Sequence, residues 1–245
     1  MHKQISIVIA TWNASKTLRS CLDSIIPQLN DECELVIIDG GSKDETNEII
    51  ASYGEKVSYT ISEKDKGIYD AWNKGVNAAK GQWILFIGAD DRLAKDAIEN
   101  YLKFIQTVPN DTDFISSKID YVDENGKTLD ITGKLWDYKR CRINMDVTHV
   151  ASITNKNYFE RIGLFNIDYK IVGDYELLMR GSKGMKAEFM DKVVATMAIG
   201  GASFSTKGLK EQFKVKRKVA HMPWILCAMI YCAQLFLFYT YKLRH

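Results

Sequence analysis

Four short apolar runs, Ile5–Ala10, Glu34–Asp39, Val57–Ile61 and Gln82–Ile87, each end at a polar turn, and each is followed by a segment with helical spacing. That alternation constrains the fold more than any other feature of the chain. The runs are short and rich in β-branched residues, which suits strands buried on both faces of a parallel sheet. Between them, Ser15–Leu29 places Leu18, Leu22, Ile25, Ile26 and Leu29 on one helical face, with Asn13 or Ser15 as its cap. A second helix runs from the "GGSKDET" turn through Ile50. A third covers "YDAWNKGVNAAKG" and closes at Gly81 as its C′ glycine, and a fourth covers Ala94–Gln106. The order predicts an α/β three-layer sandwich with a mainly parallel, Rossmann-like central sheet. In such sheets ligands bind beyond the carboxyl ends of the strands. The clusters Thr11–Asn13, Asp39–Ser42, Ser62–Lys66 and Asp90–Asp91 all follow strands, so they converge on one edge.

Beyond Phe114 the pattern is less regular. "DFISSKIDYVDENGKTL" reads as a hairpin with "ENGK" at the turn, Asn157–Ile162 and Tyr175–Ser182 as short helices, and "KAEFMDKVVATMAIGG" as strands. This half is expected to lie over the same sheet edge. With three prolines and no repeat, nothing divides the chain early, so residues 1–205 read as one domain. Its halves are about 1–112 and 113–205, and 206–245 follow as a basic linker and an apolar helix.

Pro223–Tyr241 carries no formal charge. It is preceded by "KVKRK" and followed by Lys242 and Arg244. Length, basic flanks and terminal aromatics point to a membrane at its cytoplasmic face, either spanned or lain upon. A helix docked on the domain, or one that makes a homodimer, fits the same composition. A net charge of +2 gives no reason to expect nucleic acid as a partner. Five scattered cysteines without a Cys-x-x-Cys pair suit reduced thiols rather than disulfides or zinc. The start "MHKQISIVIATWN" is not a signal peptide.

Three acidic positions carry candidate chemistry. Asp90 and Asp91 end a buried run and repel each other unless a cation neutralises them; carboxylates suit magnesium or manganese, with substrate phosphate completing the shell. The same pair could instead cap a helix starting near Leu93. Asp39, before Gly40-Gly41-Ser42, could accept hydrogen bonds from a base or sugar, or simply shape a tight turn. Asp174, in "IVGDYELLMRG", could be a general base or a helix cap. No nucleophile elbow, phosphate loop or dinucleotide fingerprint is present.

Taken in order, "VIATWN", "LVIIDGGSKDET", "SEKDKGIYDAWNKGVNAAKGQWILFIGADD" and "VGDYELLMR" resemble the inverting family 2 glycosyltransferases of GT-A fold, over roughly residues 4–205. The resemblance implies a nucleotide-diphosphate sugar donor, by family habit a UDP-sugar, and a manganese or magnesium ion. It also implies transfer of a hexosyl or N-acetylhexosaminyl group to a hydroxyl of a glycan or lipid-linked acceptor. By the same resemblance Thr11, Asn13, Asp39, Gly41, Asp65, Lys66, Asn73 and Asp90 match the donor site. Asp90 with Asp91 matches the metal position, Asp174 the catalytic base, and His149 and Arg180 positions near the acceptor or diphosphate. Three departures stand out. Gly88 replaces the first carboxylate of Asp-x-Asp, Gly40 the second aspartate of the "DDGS" turn, and Gly173 the glutamate before the base. All three resemble a branch that makes bacterial surface polysaccharides. A sugar-phosphate nucleotidyltransferase lacks support, because "TWNASKTL" has no glycine-rich triphosphate loop. A non-catalytic nucleotide-sugar or glycan-binding module is the alternative, with Gly88 in its favour and Asp90 and Asp174 against it.

Overall fold

The structure is a computed structural model that describes residues 3–123, 125–198 and 204–244, with side chains through Thr240. In chain order the elements are β1 (Ile5–Thr11), α1 (Leu18–Ile25), β2 (Cys33–Asp39), α2 (Thr46–Ser52), β3 (Tyr59–Ser62), α3 (Ile68–Ala78), β4 (Trp83–Gly88), β5 (Arg92–Leu93) and α4 (Ala97–Ile105). The second half contributes β6 (Phe114–Val122), β7 (Thr128–Thr132), α5 (Tyr138–Cys141), β8 (Ser152–Asn155), α6 (Lys156–Ile162), α7 (Gly173–Arg180), β9 (Ala187–Ala198), α8 (Thr206–Lys218) and α9 (Trp224–Arg244).

Among the described residues the strands form one nine-stranded sheet of order β3-β2-β1-β4-β8-β6-β9-β5, with β7 paired to β6. The first four strands on that path are parallel, as the sequence predicts. The sheet as a whole is not mainly parallel. Strand β8 runs antiparallel to both β4 and β6, β5 to β9 and β7 to β6, while β6 and β9 are parallel. The mixed character was hidden because β8 reads Ser-Ile-Thr-Asn, with no apolar period. All four residues are nonetheless buried, and the Asn155 side-chain amide donates to Thr112 O at 3.2 Å.

Both faces of the parallel half are covered. Ile5, Ile7 and Ile9 of β1 point into a cluster with Leu18, Leu22 and Ile25 of α1 and Ile98 and Tyr101 of α4. Val8, between them, points to the opposite cluster with Trp72 and Val76 of α3. Burial on both sides explains the unbroken apolar runs. A third cluster joins Val172, Tyr175 and Leu178 around α7 to Val215 of α8 and Cys227 of α9.

Several local expectations are corrected. Gly81 does not cap α3 in a left-handed conformation, since the helix ends at Ala78 with an extended Ala79. Glycine is needed at 81 because an added methyl would lie 2.6 Å from the Ser6 amide nitrogen. The helix after Asp91 starts at Ala97, so neither Asp90 nor Asp91 caps it. The 113–129 hairpin forms as β6 and β7, although Glu124 of its turn lies outside the described residues. The strand "KAEFMDKVVATMAIGG" is continuous to Ala198, and its last three residues, 199–201, likewise lie outside. The basic segment 206–218 is a helix packed on α7 and α9. Among the described residues no helix is long and apolar enough to cross a membrane.

Within α8, Lys216 is 1% exposed and its ammonium nitrogen has no hydrogen-bond partner among the described residues. Burial lowers its pKa to about 8, against a partial opposing effect from Cys227. Below pH 8 the amine is charged in both folded and unfolded chains, and burying it destabilises the fold. Between about pH 8 and the ordinary lysine range the folded chain releases a proton that the unfolded chain keeps, so stability rises with pH. Lys216→Met is expected to raise stability at pH 7 by roughly 3–4 kcal/mol, at about 1.4 kcal/mol per pKa unit, and to flatten that rise. Urea unfolding at pH 7 and at pH 10 checks both effects.

Candidate active site

The register of the parallel strands lines up their ends. Thr11 pairs with Asp39, Asp39 with Ser62, and Ala10 with Gly88. Two adjoining hollows open there, of 240 and 330 Å3, and share Ala10, Trp12 and Ile68. The first is also lined by Thr11, Asp65 and Gly67, and the second by Asn13, Gly88 and Asp90. Thr11 is 4% exposed and its buried hydroxyl has no partner among the described residues. Trp12, 68% exposed, stands at the mouth of both. A large aromatic left in solvent directly after a buried strand is the signal that sequence reading passed over.

Asp39 is fully enclosed. Its Oδ2 accepts from the amides of Gly41 (3.1 Å) and Ser42 (2.9 Å), the Ser62 hydroxyl and the Asn47 amide (3.3 Å), and its Oδ1 accepts from the Ser42 hydroxyl. Burial pushes its pKa up, but the hydroxyls of Ser42 and Ser62 and the Ser42 amide outweigh this and hold it below the usual range. Asp39 therefore stays ionised and fixes the turn in which Gly41 takes a φ of +80°. Asn13, itself at φ +47°, locks the first loop to this turn. Its side-chain oxygen accepts from the Lys43 amide (2.9 Å), and its own amide donates to the Ser42 hydroxyl (2.7 Å).

The two adjacent aspartates divide. Asp90 is exposed and lines the second hollow. Asp91 is 5% exposed, and its Oδ2 accepts from the Gly88 amide at 3.0 Å. Burial, with the charge of Asp90, pushes the Asp91 pKa up to about 7. Only Asp90 opens on the cleft, and among the described residues no three His, Cys, Asp or Glu groups cluster as a cage. One open carboxylate fits a hard divalent cation that takes its remaining ligands from water and a diphosphate, and not one held by protein alone.

Asp174 lies in the first turn of α7, half-buried, and its Oδ1 accepts from the Tyr69 hydroxyl at 3.0 Å. His149 is 6% exposed and stacks on Phe86 (4.9 Å) and Trp72 (4.8 Å), with neither ring nitrogen bonded among the described residues. Burial lowers its pKa, partly opposed by Asp174, so it is a neutral imidazole.

Three other sequence candidates sit in supporting positions. Both polar ends of the Asn73 amide pair with the Phe165 backbone at 2.9 Å, tying α3 to the segment before α7. Arg180 lies at the opposite end of α7 from Asp174. It forms two hydrogen bonds with Glu176 and donates to the carbonyls of Ile162 and Leu164. Lys66 is exposed, and its carbonyl accepts from the Lys170 ammonium at 2.9 Å.

Sequence reading missed Glu211 because it lies in a stretch dominated by lysine. Its carboxylate accepts from the amides of Lys170 (3.0 Å), Ile171 (2.9 Å) and Val172 (3.2 Å). Val172 is the N-cap position of α7 and makes no side-chain cap bond. Glu211 thus caps the Asp174 helix from α8, placing negative charge where a helix start favours it. Glu211→Ala is expected to cost roughly 2 kcal/mol, and Glu211→Gln about half of that, in urea unfolding.

Comparison with known proteins gives a consistent result. The family model for Glycosyl transferase family 2 matches residues 6–166, more than half of the chain. A PGL/p-HBAD biosynthesis glycosyltransferase of Mycobacterium bovis (strain BCG / Pasteur 1173P2) is 32% identical over 207 residues, covering 81% of this chain and 78% of the relative. Among solved structures, S. aureus TarS 1-349 in complex with UDP-GlcNAc superposes with a TM-score of 0.71 at 18% identity, covering 95% of this chain and 71% of that one. The mannosyltransferase PcManGT from Pyrobaculum calidifontis, in complex with GDP-Man and Mn2+, superposes with a TM-score of 0.68 at 15% identity, covering 97% and 75%. At these identities the two structures speak for the fold.

Proposed function

Because the chain belongs to glycosyl transferase family 2, we propose that it moves a sugar from a nucleotide-diphosphate donor to a hydroxyl of a glycan or lipid-linked acceptor, with inversion at the anomeric carbon. The observation that carries this reading is that Thr11 and Asp90 line adjoining hollows at the sheet edge beside Ile68 at the start of α3, whose next residue, Tyr69, holds Asp174 of α7. Thr11, the exposed Trp12 and Asp65 line the hollow that receives the nucleoside, and the turn held by Asp39 and Asn13 braces the loop that carries Trp12. The Asp65 Oδ1 accepts from the Gly67 amide at 2.9 Å. A divalent cation, manganese or magnesium, would be held by Asp90 together with the donor phosphates and would neutralise charge on the departing diphosphate. Asp174 takes the proton of the acceptor hydroxyl as its oxygen bonds to the anomeric carbon, and the bond from that carbon to the diphosphate breaks. A single displacement needs no covalent intermediate, in keeping with the lack of a nucleophile device.

The nucleotide-sugars bound by TarS and PcManGT support this donor class, and the biosynthetic role in the mycobacterial relative's name, PGL/p-HBAD biosynthesis, supports a place for this chain in surface polysaccharide or glycolipid synthesis. An acceptor of that kind suits an enzyme held at the cytoplasmic face of the cell membrane. The surface of the C-terminal helices supports that location, since α9 exposes Trp224, Ile225, Met229, Phe236 and Leu237 while α8 exposes Lys207, Lys210 and Lys214. Apolar side chains beside lysines suit the anionic interface. The double variant Ile225→Glu, Leu237→Glu is expected to lose flotation with anionic vesicles and keep donor turnover. Flotation equal to wild type would rule the membrane role out and leave a homodimer contact to be tested by sedimentation.

A donor screen tests the transferase reading directly. Purified protein is offered UDP- and GDP-sugars with manganese or with EDTA, and free nucleotide diphosphate is read. Turnover of one donor is expected, lost with EDTA and lowered roughly a hundredfold or more in Asp90→Ala. Trp12→Ala is expected to weaken donor binding by roughly tenfold, since stacking on a base contributes about 1–3 kcal/mol. Tight diphosphate binding without turnover, in the presence of glycan acceptors, would instead favour a non-catalytic binding module.

A further inference from the structure

Tyr69 was not among the residues that the sequence marked, yet its hydroxyl reaches from the first turn of α3 to the start of α7. It lies 3.0 Å from Asp174 Oδ1 and 2.8 Å from Ile171 O. The residue is 4% exposed. Its ring meets Trp72 edge-on at 5.4 Å and lies tilted on Phe165 at 5.5 Å. A methyl added at Gly173 would sit 2.8 Å from ring carbons Cδ2 and Cε2. A boxed-in ring cannot swing away as a flexible chain end could, so Tyr69 fills the space that a side chain at 173 would require. From that space it offers a hydrogen bond to the neighbouring Asp174. Burial, with the charge of Asp174 adding to it, holds the phenol well above the ordinary tyrosine range, and Tyr69 keeps its proton.

One hydroxyl hydrogen faces two acceptors here. We propose that Tyr69 is a positioning residue for Asp174 whose hydroxyl serves both protonation states of that carboxyl by turning its hydrogen between Asp174 Oδ1 and Ile171 O; this rests on the reading of Asp174 as the base. With Asp174 ionised, the Tyr69 O–H donates to Oδ1 and fixes the carboxylate against α3. During transfer the acceptor oxygen bonds to the anomeric carbon, the bond from that carbon to the diphosphate breaks with its electron pair going to the diphosphate, and the acceptor proton passes to Asp174. With that proton on Oδ1, Asp174 donates to the Tyr69 oxygen and the Tyr69 hydrogen turns to Ile171 O. No proton is exchanged with Tyr69, and neither state leaves a buried polar group without a partner. His149 also feels the charge of Asp174, but burial keeps it neutral, so it does not compete for the role.

Tyr69→Phe removes the hydroxyl and keeps the ring that packs on Gly173. The measurement is kcat and donor KM against pH, beside wild type and Asp174→Asn, with thermal unfolding as the check on folding. We expect kcat to fall roughly tenfold or more with KM within about twofold, as loss of a hydrogen bond to a charged group implies. A ring that only packs would leave kcat at the wild-type level. Wild-type kcat in Tyr69→Phe, with Asp174→Asn inactive, overturns the positioning role and leaves the base standing. Turnover retained in Asp174→Asn overturns both.

Discussion

Strand β1 is hydrogen-bonded on both sides, to β2 and to β4, in a register that ends all three strands at one level. Everything in the cleft depends on this pairing. A slip of one residue would reverse which of Ile7, Val8 and Ile9 face which helical layer, and both layers are close-packed, so the register is fixed by burial. Given the register, Thr11, Asp39 and Ser62 fall in line, and Gly88 places Asp90 beside them. The Gly40 amide donating to Thr11 O at 2.8 Å closes the line between the first two loops.

The three glycines that depart from the family pattern have a common physical basis. At each, a side chain from elsewhere occupies the place where a Cβ would project. Asp65 Oδ2 lies 2.6 Å from that point at Gly40, Asp91 Oδ2 2.7 Å and Asp90 Oδ1 2.8 Å at Gly88, and the Tyr69 ring 2.8 Å at Gly173. Two of the three sites trade one carboxylate for another close by, and the third trades it for a phenol. The glycines therefore belong to a different way of filling these places, in which polar groups reach them from α3, its preceding loop and the turn after β4.

The C-terminal helices hold the other wall. Glu211 of α8 grips the three amides before α7, Lys170 reaches back to Lys66 O, and the Asn73 amide pairs with the Phe165 backbone. These contacts bind α3 and the loop before it to the helix that carries Asp174. A helix whose outer face is apolar is thus two steps, through α8 and Glu211, from the proposed base.

The sequence by itself determined the parallel half of the fold and the sheet edge at which its hollows open. Period and length marked β1, β2, β3 and β4, and polar residues after each marked the edge, because local hydrophobic pattern decides burial on both faces. Asp90 and Asp174 were legible for the same reason, as carboxylates at the ends of recognisable elements. Tertiary structure decided the rest. It made the sheet mixed through β8, where the Asn155 side-chain amide reaches Thr112 O across 43 residues, and it turned a lysine-rich stretch into the cap of α7. It also separated Asp90 from Asp91, which look alike in sequence but differ in which way the turn after β4 directs them. It enclosed Asp39, occupied Asn73 and Arg180 with backbone groups, and brought Tyr69 to Asp174 across 105 residues. Hydrogen bonds between distant segments leave no period in a sequence; they exist once packing has fixed the distance between the groups that make them.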